Sequence, residues 1–311
     1  MSRTRALMSA LAARYARGAP VRAPAAPPSV APPARVYVPR REASAFGDRS
    51  AQHTTALLGI GAVGTRYATD VVLQVQAELA VAHAAVAAEL PAGWAEARGL
   101  LPLQSQVRDH REFLLRPDRG RRLDEPSLAR LRQLRAQAAP PDVQLILADG
   151  LSAVACMGGG EALLAATREA CQARGLSVGP PLCARFARVW LEDEIGQELG
   201  AKVAIILLGE RPGLGTGDGL SAYAVYEPKV GKTDGDRNMM SNLHARGTPP
   251  HEAAPRLAAL AAAMIEQRTS GVTLDLAGVG SGDRGYRAPQ VRQRLVETGA
   301  APARRAAGTG S

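Results

Sequence analysis

Three short stretches of the chain carry residue types and spacings that could do chemistry. Gly59-Ile-Gly61-Ala-Val-Gly64 spells G-x-G-x-x-G. That turn lays a dinucleotide pyrophosphate on a helix N-terminus when a strand precedes it, a helix follows and an acid stands about 20 residues on. Here Gln52-His53-Thr54-Thr55 makes a poor strand, and the acid in reach, Glu78, comes too early and inside the following helix. The letters match without the context. Gly209-Glu210-Arg211-Pro212-Gly213 follows the most apolar run of the chain, where a charged pair fixed by proline and two glycines suits either a ligand contact or an ion pair closing a loop. Asp149-Gly150-Leu151-Ser152 ends an earlier apolar run and reads as a second such site or as a turn and helix cap. The five histidines (53, 83, 110, 244, 251) make no metal-ligand spacing, and no serine or cysteine sits in a nucleophile elbow. That pattern suits a binding or partner subunit better than a self-sufficient enzyme.

These stretches need elements to position them. Residues 71–90 read as one Ala-rich helix stopped by Pro91. Residues 91–140 read as a short helix, a loop around 116–122 and a second helix near 128–138, capped by Asp124 or Ser127. From Pro140 the period changes. Strands are expected at 143–148, 182–190, 202–209 and 221–226. Helices are expected at 161–174, ending at Gly175, at 193–199, and from Thr248-Pro249-Pro250 to about 268, with Thr248 as cap. Strands alternating with helices predict an α/β fold, a mostly parallel sheet with flanking helices, Rossmann-like in the C-terminal part. Such sheets bind ligands beyond the carboxyl ends of their strands, which points to the loops after residues 149, 189 and 209. Asn242-Leu-His244-Ala-Arg-Gly247 is one residue short of D-x-H-x-x-G, by which some cobalamin domains supply an axial histidine. Asn242 replaces the acid that would set the imidazole tautomer, so a chance near-match is the plainer reading.

With 311 residues, 46% of them hydrophobic and 22% charged, the chain has room for about two domains and a sizeable core. The division read from composition is a Pro/Ala/Arg-rich disordered tail over 1–50, a helical region over 51–139, an α/β domain over 140–277 and a flexible tail over 278–311. The net charge of +9 sits in the tails: nine arginines against two acids in residues 1–50 and six against two in 278–311, which leaves 51–277 at −2. A nucleic-acid footprint would need a basic face on a domain, and aromatics at 4% give no stacking platform. No membrane span is expected, since no run nears the ~18 consecutive apolar residues of a transmembrane helix. Three irregularly spaced cysteines (156, 171, 183) and no secretory signal fit a cytoplasmic protein with reduced thiols. Leu7, Met8, Leu11 and Tyr15 fall at helical spacing among Arg3, Arg5, Arg14 and Arg17, a possible amphipathic basic helix.

Taken in order, Arg116-Pro-Asp118-x-Gly120-Arg121-Arg122-Leu123, Asp149-Gly-Leu-Ser152, Arg188-Val189-x-x-Glu192-Asp193-x-Ile195-Gly196, Gly209-Glu-Arg-Pro-Gly-Leu214 and Asp236-Arg237-x-x-x-Ser241-Asn242 closely resemble the small subunit of ethanolamine ammonia-lyase over residues 55–275. The resemblance implies an adenosylcobalamin-dependent lyase that converts ethanolamine to acetaldehyde and ammonia by a radical route. A separate barrel-fold large subunit would hold substrate and reacting groups. The small subunit would close over base-on cobalamin at the interface and would carry no catalytic residue and no metal ligand of its own. It further implies Val189, Glu210 and Met239 as cobalamin contacts, assembly into a multimer of large–small pairs, and frequent housing in a bacterial microcompartment, with residues 1–18 docking to a shell protein.

This chain departs from the family at two places: Met239 stands where a cysteine is common, and Gly61-Ala-Val-Gly64 with an Ala/Val-rich helix stands where Gly-Arg-Ala-Gly and a charged helix are usual. Those departures keep an adaptor or scaffold without cofactor contact as the alternative, beside a nicotinamide oxidoreductase using Gly59–Gly64.

Overall fold

The computed structural model describes residues 62–214, 217–245 and 247–277, with Leu58 and Val279. The tail regions 1–50 and 281–311, the amphipathic pattern at 7–15, and Gly59 and Gly61 lie outside the described residues.

Six strands form one sheet in the order β1-β3-β2-β4-β5-β6. They are β1 (Leu101–Gln104), β2 (Val143–Ala148), β3 (Leu182–Arg185), β4 (Val203–Gly209), β5 (Leu220–Tyr226) and β6 (Arg237–Leu243). The first four in sheet order run parallel; β5 and β6 are antiparallel. The α-helices of six or more residues are α1 (Thr69–Ala87), α2 (His110–Leu115), α3 (Glu125–Gln137), α4 (Glu161–Ala173), α5 (Leu191–Leu199) and α6 (Pro250–Gln267). The expected α/β class with a mostly parallel, helix-flanked sheet is what the chain adopts.

β2 and β4 are buried along their whole length, as strands covered on both faces must be. Alternation then divides the core. Leu145, Leu147, Cys183, Ile205 and Leu207 face α4 and α6. Ile146, Leu182, Ala184, Ile206 and Leu208 face α3 and α5. α4 meets the sheet through Leu163, Leu164, Thr167 and Cys171, a stripe at helical spacing. α5 buries Glu192, Asp193 and Glu194 as well as its apolar residues, and each acid has a partner described below.

Several local expectations change. Residues 101–104, read within a helical region, form β1, and residues 237–243 form β6. The strand expected over 182–190 stops at Arg185, because the next two ladder N–H groups, of Phe186 and Ala187, go to the Asp149 carboxylate at 2.8 and 3.2 Å. Thr248 does not cap α6: its N–H bonds Asn242 O at 2.9 Å, and Pro249 is the capping residue. Asp124 rather than Ser127 caps α3, accepting from Ser127 N at 2.9 Å. Gly64 sits in an exposed turn, and α1 begins five residues later at Thr69, so the glycine motif does not open the helix directly. Among the described residues α1 is the one helix long and apolar enough, by length and composition alone, to cross a membrane; it carries Asp70 and Glu78. The three cysteines are free and buried.

Candidate functional site

The connection from β2 to β3 runs over one face of the sheet through α4, and that from β3 to β4 over the other through α5. Loops leaving β2 and β3 therefore part to opposite faces, and a narrow crevice lined by Asp149, Gly150, Leu151, Phe186, His110 and Glu89 opens between them. Asp149 closes its floor by accepting from Phe186 N and Ala187 N. Burial pushes that carboxyl up to about 6 against the pull of those N–H groups. The 149–152 and 209–213 loops are locked together: Leu151 N donates to Gly209 O at 2.8 Å. A Cβ on Gly209 would lie 2.3 Å from Ser152 O, and one on Gly150, whose φ is +52°, 2.4 Å from Gly209 O. Only glycines allow that approach.

The two loops singled out at strand ends thus come together, and the third joins them across β3. Val189 lies half-buried against the α3/α5 side of the core, and its carbonyl accepts from Glu192 N at 3.1 Å as α5 begins. Glu210 follows β4; its N–H donates to Gly219 O at 3.0 Å, closing the loop, and its Oε1 accepts the Tyr223 hydroxyl at 3.1 Å. Burial, and next the Glu210 carboxylate, push the Tyr223 phenol up to about 12, so it remains the donor of that bond. Tyr223 is in register with Ile206 on β4 and with Met239 on β6, which puts all three on the same face. Met239 is 54% exposed. Val189, Glu210 and Met239 therefore share the α3/α5 side of the sheet, with Tyr223 between the last two.

A buried charge cluster braces this side. Arg237 of β6 donates to Glu192 Oε1 at 2.6 Å and, through two nitrogens, to both oxygens of Asp193 at 3.2 and 3.0 Å. It fastens the strand that carries Met239 to the helix that starts beside Val189. Trp190 sits against the cluster, donating Nε1–H to Asp234 at 2.6 Å. Desolvation pushes Glu192 up to about 8 and Asp193 upward, because one guanidinium serves two buried carboxylates. Glu194 accepts from Leu123 N and pairs with Arg122 at 2.9 Å, tying the 116–123 segment to the same helix. None of these partners was legible as a pair in the sequence; the one available signal was the placement of Glu192-Asp193 just after a strand end.

His244 is buried, with its Nε2 2.6 Å from Asn242 Oδ1, and Asn242 takes a left-handed φ of +63°. Asn242, not an acid, is thus the partner of the imidazole, at the end of β6. Among the described residues no group of three His, Cys, Asp or Glu is placed to hold a metal ion.

The side chains fit a ligand edged with amides. Glu210 and the Val189 carbonyl are acceptors, each with capacity beyond the one bond described for it, and Met239 adds an exposed, polarizable apolar surface. A family model for the ethanolamine ammonia-lyase light chain (EutC) matches residues 46–275, about three quarters of the chain and all of the strands and loops above. The enzyme is a lyase, and a light chain implies a large-subunit partner. By that match the chain belongs to the ethanolamine ammonia-lyase light-chain family.

Proposed function

We propose that this chain is the cofactor-covering subunit of an adenosylcobalamin-dependent ethanolamine ammonia-lyase, with Val189, Glu210 and Met239 against the corrin edge. The observation that carries the reading is the placement of these three residues on one side of the sheet, two acceptors in the loops after β3 and β4 and an exposed apolar side chain on β6, with Tyr223 between Glu210 and Met239. The corrin rim bears carboxamides whose NH₂ groups need acceptors. The Glu210 carboxylate and the Val189 carbonyl supply them, and the Met239 thioether packs beside them. When bound, adenosylcobalamin would supply the radical chemistry that turns ethanolamine into acetaldehyde and ammonia. This chain's part is to hold the cofactor's edge and keep water from that side, while the large subunit acts on the amine. Tyr223 fixes the Glu210 carboxylate for that contact, and the Arg237 clamp fixes the spacing of Met239 from Val189.

The test is reconstitution with a large subunit, followed by cobalamin binding and by ethanolamine deamination with and without adenosylcobalamin. Glu210→Ala should weaken cobalamin binding about tenfold, the loss expected for a hydrogen bond to a charged group. Unchanged affinity removes Glu210 from the site. Failure of the chain to join any large subunit removes the whole reading. The proposal extends to location: a cytoplasmic enzyme housed in a microcompartment, with residues 1–18 docking to its shell. Their deletion should release the enzyme from shells without changing its activity in free solution; unchanged encapsulation sinks that part.

A further inference from the structure

Val189 and Glu210 both stand on loops, and a loop presents an acceptor at a fixed place only through what fastens it. Val189 comes four positions after the last residue of β3, Arg185, and the path to it is strained. Phe186 takes a φ of +52°, a left-handed conformation that a bulky side chain keeps only where the surrounding structure imposes it. The N–H groups of Phe186, Ala187 and Arg188 all have partners, and one side chain takes two of them. Asp149 Oδ2 accepts from Phe186 N at 2.8 Å and its Oδ1 from Ala187 N at 3.2 Å, while Arg188 N donates to Gly120 O at 2.8 Å. The buried Ser105 hydroxyl holds the strained residue from its other end, donating to Phe186 O at 2.8 Å.

Asp149 meets the second loop through its backbone. A Cβ on Gly209 would lie 2.4 Å from Asp149 O, and Leu151 N donates to Gly209 O at 2.8 Å. The 149–152 loop is therefore seated against the residue that precedes Glu210. One residue, 4% exposed, thus fastens the Val189 loop with its carboxylate and abuts the Glu210 loop with its carbonyl.

We infer that Asp149 is a positioning residue for the cofactor: its carboxylate holds the strained turn after β3 and so sets the spacing of the Val189 carbonyl from the Glu210 carboxylate. The inference rests on the functional reading above, in which those two acceptors face the corrin edge. Asparagine has the same shape, but its NH₂ turns donors towards one of the two N–H groups, so one of the two bonds is lost. Protonation of the carboxyl does the same by making one oxygen a hydroxyl. Burial puts that protonation at about 6. The titratable and charged groups facing the carboxyl are Glu89 just after α1, His110 at the start of α2, Arg185 at the end of β3 and the buried Cys156 thiol.

The experiment measures cobalamin affinity of the complex with a large subunit, by equilibrium dialysis between about pH 5 and about pH 7.5. The wild-type affinity should fall about tenfold as pH drops through about 6, the worth of one hydrogen bond to a charged group. Asp149→Asn should bind about tenfold more weakly at pH 7.5 and show no such fall. His110→Gln should keep the fall. A fall that persists in Asp149→Asn, or vanishes in His110→Gln, belongs to another group and overturns the inference. A residue needed only for stability would lower the Tm and leave the affinity of the folded complex, and its pH profile, unchanged; that result also overturns it. Amide hydrogen exchange of the full chain gives a second arm that needs no cofactor. The Phe186 and Ala187 amides should exchange about tenfold faster in Asp149→Asn, and equal protection overturns the hold on the turn. A wild-type complex that binds no cobalamin overturns the functional reading and the cofactor role of Asp149 with it. Unchanged affinity in the variant overturns that role alone.

Discussion

Glu192→Gln should make the chain more stable at pH 8 while leaving it nearly unchanged at pH 6. Glu192 is fully buried, and Arg237 is the one guanidinium facing it and Asp193; around them stand Lys232, Asp234 and Asp236. Two buried carboxylates against one cation favour keeping a proton on the pair, and the Glu192 value rises from 4.5 to about 8. Because the folded value lies above the unfolded one, the stabilisation is complete below about pH 4.5 and is lost as pH rises towards 8. In that window the folded chain holds a proton that the unfolded chain releases, so stability falls by about 1.4 kcal/mol per pH unit. From pH 6.5 to 8 that amounts to about 2 kcal/mol, or roughly 4–8 °C in Tm for a unit of this size. Asp149, raised to about 6, acts with the same sign at lower pH, and Asp142, lowered to about 2 chiefly by Lys202, acts with the opposite sign below pH 3.8. The interval from 6.5 to 8 therefore isolates Glu192 among these acids. Glutamine keeps an acceptor for Arg237 and carries no charge. Scanning calorimetry of both proteins across that interval should show the wild-type Tm falling and the variant's nearly flat, with the variant about 2 kcal/mol the more stable at pH 8. Parallel curves would refute the shared proton. A variant about 2 kcal/mol or more weaker at pH 6 would show that Glu192 is needed as an anion.

Gly209→Ala would drive a methyl group against two backbone oxygens, Ser152 O at 2.3 Å and Asp149 O at 2.4 Å, neither of which can swing away. A loss of about 2 kcal/mol or more is expected in denaturant unfolding, and a loss under about 0.5 kcal/mol would contradict the close approach of the two loops. Asp124→Ala removes the acceptor of Ser127 N at the start of α3 and should cost about 1 kcal/mol by the same assay. Met239→Ser lies on the exposed face of an edge strand, so stability should hold within about 0.5 kcal/mol while cobalamin affinity of the reconstituted complex falls; a large stability loss would mark Met239 as core instead.

The middle of the sheet was legible in the sequence because its strands are apolar on both faces and its helices end on recognisable signals. Its edges were not. β1 is four residues long and contains Pro102, which reads as a break and is tolerated because the strand pairs on one side only, with β3. β6 is polar, Arg-Asn-Met-Met-Ser-Asn-Leu, and its inward position at 237 is filled by an arginine that becomes a core residue only through Glu192 and Asp193. No local pattern announces a partner 44 or 45 residues away. The direction of β5 was not read from the sequence; residues 210–219 are too few for a crossover helix, and β5 returns beside β4 as an antiparallel hairpin.

The same division holds at the candidate site. Strand-end loops with glycine and charge, at 149 and 209, pointed to the right part of the fold, because backbone close approach leaves a mark in residue type. What those loops hold in place left no such mark. Tyr223 reaches Glu210 from the neighbouring strand, and Asp149 ends β3 by taking the N–H groups that the ladder would have used. Arg121 is indistinguishable in sequence from Arg119 and Arg122 on either side; only the fold shows that its neighbours are spent on Glu112 and Glu194 while it is not.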